Sequence, residues 1–117
     1  MVVVESMSRG KIVGDMRHVY VYRLVKSNLI MTSENDAMEV QSYGIEVERQ
    51  DMLNDELVAI VRENVCNVSP QRHKVHNLLK LLHDNIVSPI HLVDVIGEYV
   101  DCYSCDYDEI LQGTATN

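Results

Sequence analysis

Trp and Phe are absent from this chain of 117 residues, and its aromatic side chains are six tyrosines. Its core must therefore be aliphatic, with tyrosines whose hydroxyls need partners wherever they are buried. Lys and Arg are absent from residue 81 onward, although the chain carries ten of them. No window holds the roughly 18 successive apolar residues of a membrane span. Nor do residues 1–10 have the basic start and apolar stretch of a secretory leader. These absences give the expectation of a cytoplasmic protein with no membrane contact. Three cysteines, Cys66, Cys102 and Cys105, are too few and odd in number for a disulfide scaffold, and they fit a reducing compartment. Nucleophile elbows, phosphate loops and dinucleotide-binding glycine patterns are missing as well. Without an assembled acid, base and nucleophile, the sequence points away from an enzyme and calls for no cofactor.

What is present is a charge split. Residues 1–80 hold eleven acids and ten bases, a net of −1, whereas residues 81–117 hold seven acids and no Lys or Arg, a net of −7, giving −8 in all. An acidic half of this kind repels phosphate backbones, so nucleic acid is not the expected partner. A protein with a basic surface is.

The two prolines mark the helical half. Ser69-Pro70 and Ser88-Pro89 each read as a helix start, with serine as N-cap and proline at the first helical position. The first helix runs to about Asp84, with Val75, Leu78, Leu79, Leu82 and Ile86 on one stripe. The second runs to about Tyr103, with Leu92, Val93, Ile96, Tyr99, Val100 and Tyr103 on its stripe. Asp94, Glu98 and Asp101 form an acidic edge opposite that stripe. Gly97 in mid-helix costs about 1 kcal/mol relative to Ala, which suggests a close approach by another backbone. Asp101, near the expected helix end, is opposed by the macrodipole.

The first half reads as strands. Residues 16–26 are rich in β-branched residues and tyrosine. A second strand covers about residues 38–49. There Met38 and Val40 occupy one parity and Tyr43, Ile45 and Val47 the other, which calls for a bulge near residues 42–44. Glu46 and Glu48 alternate outward. Residues 32–36 and 51–55 read as a loop and a turn. A third strand covers residues 56–68, with Cys66 expected as a small buried residue. Residues 2–4 and 11–13 are too short to settle whether there is a fourth.

The segments Tyr43-Gly44-Ile45-Glu46-Val47-Glu48-Arg49 and Ser88-Pro89-Ile90-His91-Leu92-Val93-Asp94-Val95-Ile96-Gly97-Glu98-Tyr99 resemble a small domain-of-unknown-function family of spore-forming clostridial bacteria. The resemblance spans roughly residues 16–103. It brings no catalytic residues, and its host range implies a role in sporulation or stationary-phase control.

Cys102 and Cys105 form a CxxC pair. Its expected place at a helix C-terminus, among Asp101 and Asp106, disfavours the thiolate that redox catalysis needs. An alternative is a small zinc module in which Cys66 and His76 complete the four ligands. His73, His76, His83 and His91 otherwise flank the leucine stripe, and His18 reads as a hydrogen-bonded sheet residue.

The resulting expectation is an α+β fold. A single domain over residues 1–105 holds an antiparallel meander of three to four strands followed by a two-helix hairpin on one sheet face, with residues 106–117 as an acidic, flexible tail. The expected function is a non-catalytic interaction or regulatory module. It presents Asp94, Gly97, Glu98 and Asp101 to a basic protein partner, and a sheet edge or the second helix is open to homodimerisation.

Overall fold

Four long strands follow one another along the chain and pair antiparallel in sequence order, in a computed structural model that describes residues 1–115. They are β1 (Val2–Val13), β2 (Met16–Ser33), β3 (Asp36–Leu53) and β4 (Glu56–Ser69). Helix α1 (Arg72–Asp84), a 3₁₀ turn (Pro89–His91) and helix α2 (Leu92–Ala115) complete the chain. The fold is α+β, and the sheet has four strands.

Each hairpin closes on two residues. Gly14 supplies a positive φ of 61° in the first turn, and Asn54 and Asp55 supply φ of 51° and 63° in the third. Two successive positive φ values define the type I′ turn that suits twisted strands, and Asn-Asp tolerates them. The strands outrun the sequence boundaries. Residues 32–36 and 51–55 pair except at the turn residues themselves, because a strand already held in register carries polar tips along with it.

The core lies on one sheet face. Tyr20, Tyr22 and Leu24 of β2 and Ile45 and Val47 of β3 meet Val75, Leu78, Leu79 and Leu82 of α1 and Leu92 and Ile96 of α2. The α1 stripe is the one the sequence predicts. Tyr22 is fully buried, and its hydroxyl donates to the carbonyl oxygen of Val87 at 3.0 Å. Burial pushes its pKa above the usual phenol value.

The predicted bulge lies at the right place but on the neighbouring strand. β3 pairs with β2 without interruption, whereas Tyr43 pairs with Ser69 of β4 and Ile45 with Val65, so three β4 residues bow out opposite Gly44. A Cβ on Gly44 would sit 2.2 Å from the carbonyl oxygens of Val65 and Cys66, so only glycine fits beneath the bow. Cys66 lies in it and is exposed, not buried.

The helix starts also differ from expectation. Helix α1 begins at Arg72 with Gln71 as N-cap and no side-chain cap. Ser69 remains in β4, where its hydroxyl accepts from the Gln71 amide at 3.0 Å and donates to Asp106. The Ser88 hydroxyl does not cap the 3₁₀ turn either, because it accepts from Arg49 Nη1 at 3.1 Å. At its other end, α1 is closed by Arg9 of β1, whose Nη1 donates to the carbonyl oxygens of His83 (3.3 Å) and Asp84 (3.0 Å). A cation there also opposes the negative end of the helix dipole.

Helix α2 does not stop at Tyr103. It continues to Ala115, through the residues expected as a flexible tail, and buries Asp106 and Tyr107. The last two positions of that tail, 116 and 117, lie outside the described residues. Lys74 Nζ is 2.9 Å from both carboxylate oxygens of Asp106, and Ser69 Oγ donates to Oδ2 at 3.0 Å. The Tyr107 and Ser42 hydroxyls are hydrogen-bonded at 2.5 Å. The two helices pack on the sheet more than along each other, with α1 on β2 and β3 and α2 along β4.

Candidate functional site

The predicted ridge is on the surface. Asp94, Glu98 and Asp101 are exposed, and among the described residues their carboxylates form no ion pair with the chain's own Lys, Arg or His. Gly97 lies between them, but no other backbone approaches it. A Cβ there would meet nothing within 4 Å, so internal packing does not demand the glycine. With α2 running to Ala115, Asp101 also sits in mid-helix, away from the opposing end of the dipole.

Beside the ridge lies a half-open groove of about 240 Å³ between α2 and β4, lined by Val65, Val93, Ile96, Gly97, Val100 and Asp101. The buried stripe of α2 is shifted from the predicted one. Leu92 and Ile96 are buried and Val95, Val100 and Tyr103 partly so, while Val93 is 58 % exposed and Tyr99 38 %. Apolar surface and acidic rim thus adjoin on one helix, and the missing side chain at Gly97 keeps the groove open.

A polar cluster missed by the sequence reading ties the 3₁₀ turn to the sheet. His18 Nδ1 is 2.5 Å from Asp51 Oδ1, and Arg49 donates to both Asp51 oxygens from Nε at 2.9 Å and Nη2 at 3.3 Å. Burial would raise the Asp51 pKa. The hydrogen bonds from His18 and Arg49 outweigh it and hold the carboxyl below the usual range. The Ser88 hydroxyl at the far end accepts from Arg49, so the arrangement balances charge and fixes a loop. Arg49 and Asp51 are two residues apart on one strand and so share a face, which was the available signal.

On the other parity of β3, Glu46 and Glu48 point away from the core as predicted, yet Glu48 is only 1 % exposed. Arg62 Nε donates to it, Gln50 Nε2 does so at 2.7 Å and Arg23 Nη2 at 3.5 Å, while Arg23 Nη1 reaches Glu46 at 2.7 Å.

The zinc alternative finds its ligands apart. Cys66 lies in the β4 bow, Cys102 and Cys105 are exposed on α2, and His76 of α1 is 3.0 Å from Glu5 of β1. Among the described residues, no group of three or more His, Cys, Asp or Glu side chains converges to hold a metal ion. Nor is any described helix long and apolar enough to cross a membrane.

Meander, C-terminal helices and exposed acidic ridge define a small α+β module. The chain belongs to the family of unknown function DUF6514, which it matches over residues 1–102. No curated protein and no solved structure matches it.

Proposed function

We propose that this protein is a non-catalytic interaction module whose α2 captures a basic, partly apolar segment of another protein. One juxtaposition carries the reading. Three carboxylates unpaired within the described chain stand on the same helix as a groove of Val65, Val93, Ile96 and Val100 that Gly97 leaves open, and one of them, Asp101, lines it. Capture would bury the exposed Val93, and the acidic rim would steer a cationic partner and reject anionic ones. Nucleic acid is the wrong partner for this face, because phosphates would meet only like charge. As part of the same proposal, the capture serves sporulation or stationary-phase regulation in the cytoplasm, a reading that the resemblance to clostridial proteins supports.

The test is an NMR titration with a synthetic amphipathic helix of lysine and leucine, alongside co-purification from the native cell. Amide shifts should concentrate at residues 93–101 and vanish in the double variant Glu98→Arg, Asp101→Arg. Shifts scattered over the sheet, or unchanged capture by the double variant, would overturn the reading.

A further inference from the structure

Among the described residues, the outer edges of β1 and β4 carry charges or register breaks that one further stretch of edge lacks. The outer edge of β1 carries Glu5, Arg9 and Lys11, has a register break between Val3 and Glu5, and is tied to α1. β4 has register breaks near both of its ends. Such charges and bulges are the usual devices that keep one edge from pairing with another. Beyond the Val2–Lys26 pair, however, β1 no longer accompanies β2, and β2 and β3 go on together as a two-stranded arm to the Ser33–Asp36 pair. The β3 side of that arm is charged by Asp36 and Glu39. The β2 side is Ser27-Asn28-Leu29-Ile30-Met31-Thr32-Ser33, which has no charge, no proline and no bulge. Among the described residues nothing pairs with it, and Ile30 is 66 % exposed.

We infer that this segment is a homodimer interface, in which the β2 arms of two copies pair antiparallel across a two-fold axis at Ile30. The segment is self-complementary in that register. Ile30 faces Ile30 of the second copy, Leu29 faces Met31, Asn28 faces Thr32 and Ser27 faces Ser33, so apolar meets apolar and polar meets polar throughout. Shifting the register by one residue on either side sets Leu29 against Ile30 on one face, which turns one arm over relative to the other and is incompatible with the two-fold axis. Within each arm, Leu29 pairs with Val40 and Met31 with Met38. The joined arms therefore carry continuous apolar rows of Val40, Leu29, Met31 and Met38 across four strands.

Sedimentation equilibrium of the full chain is the first test. Wild type should approach twice its 13.4 kDa mass, and Ile30→Lys should raise the dissociation constant roughly tenfold or more while leaving the circular dichroism spectrum unchanged. In a background with Cys66, Cys102 and Cys105 changed to serine, Ile30→Cys should form a disulfide-linked dimer on mild oxidation, and Glu39→Cys on the opposite edge should not. A wild-type monomer at all concentrations would overturn the inference. So would a dimer that survives Ile30→Lys, or equal cross-linking by both cysteine variants. None of these results bears on the α2 groove, so the two proposals fail separately.

Discussion

Glu48 is a carboxylate in a position that water hardly reaches, on the sheet face turned away from the core. Burial by itself would raise its pKa, but hydrogen bonds from Gln50, Arg62 and Arg23 outweigh that effect and lower it to about 2. The folded-state value thus lies below the unpaired one of 4.5, so the network stabilises fully above pH 4.5 and its contribution is lost as pH falls toward 2. Glu48→Gln is expected to destabilise the protein by on the order of 3 kcal/mol at pH 7, read by urea unfolding. It should also flatten the acid limb of the stability curve over that same pH window. The outward direction of Glu48 was legible from strand alternation. Its burial was not, since that depends on Arg23 and Arg62 standing across from it, and alternation says nothing of the offset between strands.

At the scale of elements, two glycines separate what packing demands from what it leaves free. Gly44→Ala would drive a methyl into the carbonyls of the β4 bow and is expected to cost about 3 kcal/mol or more. Gly97→Ala meets open space and removes the helix penalty of glycine, so it should stabilise by about 0.5–1 kcal/mol. The same methyl narrows the groove and should weaken peptide capture. Thermal unfolding of the two variants beside the titration checks all three outcomes, and a fall in stability for Gly97→Ala would show that the position is packed after all. The α1 stripe was readable because leucines at helical spacing admit one solution. The end of α2 was not, because its anchors are polar. Asp106 is a side chain that apolar periodicity discards, although Tyr103, Tyr107 and Ile110 continue a spacing of three to four residues and could have extended the helix. The Ser-Pro pairs located the helices but misassigned the hydroxyls, which Asp106 and Arg49 engage.

The whole molecule is elongated, 60 × 21 × 19 Å, and the distal part of α2 is moored to it by polar side chains. Lys74, Ser69 and Asp106 hold one point, and Ser42 with Tyr107 the next. Burial would raise the Asp106 pKa, but the hydrogen bonds from Lys74 and Ser69 prevail and keep it below the ordinary range. Asp106→Asn should therefore release the distal part of α2 while the sheet stays intact. Hydrogen exchange read by mass spectrometry should show lost protection over residues 104–113 and none lost in β2 and β3. Uniform loss across the sheet would mean that the mooring supports the entire fold. The charge split visible in the sequence has its counterpart here: of the acids of the second half, Asp106 forms this internal anchor and Asp94, Glu98 and Asp101 the exposed ridge.

Strand order that matches chain order also has a kinetic meaning. Each hairpin closes over a span of a few residues, the kind of event that takes microseconds. Tyr107, by contrast, must find Ser42 at a separation of 65 positions along the chain, a search that lengthens with loop size. A nascent chain would therefore assemble its meander while translation continues and fasten the distal helix last. Until then, the surface that Tyr107 and Asp106 later cover stays open to whatever binds nascent chains.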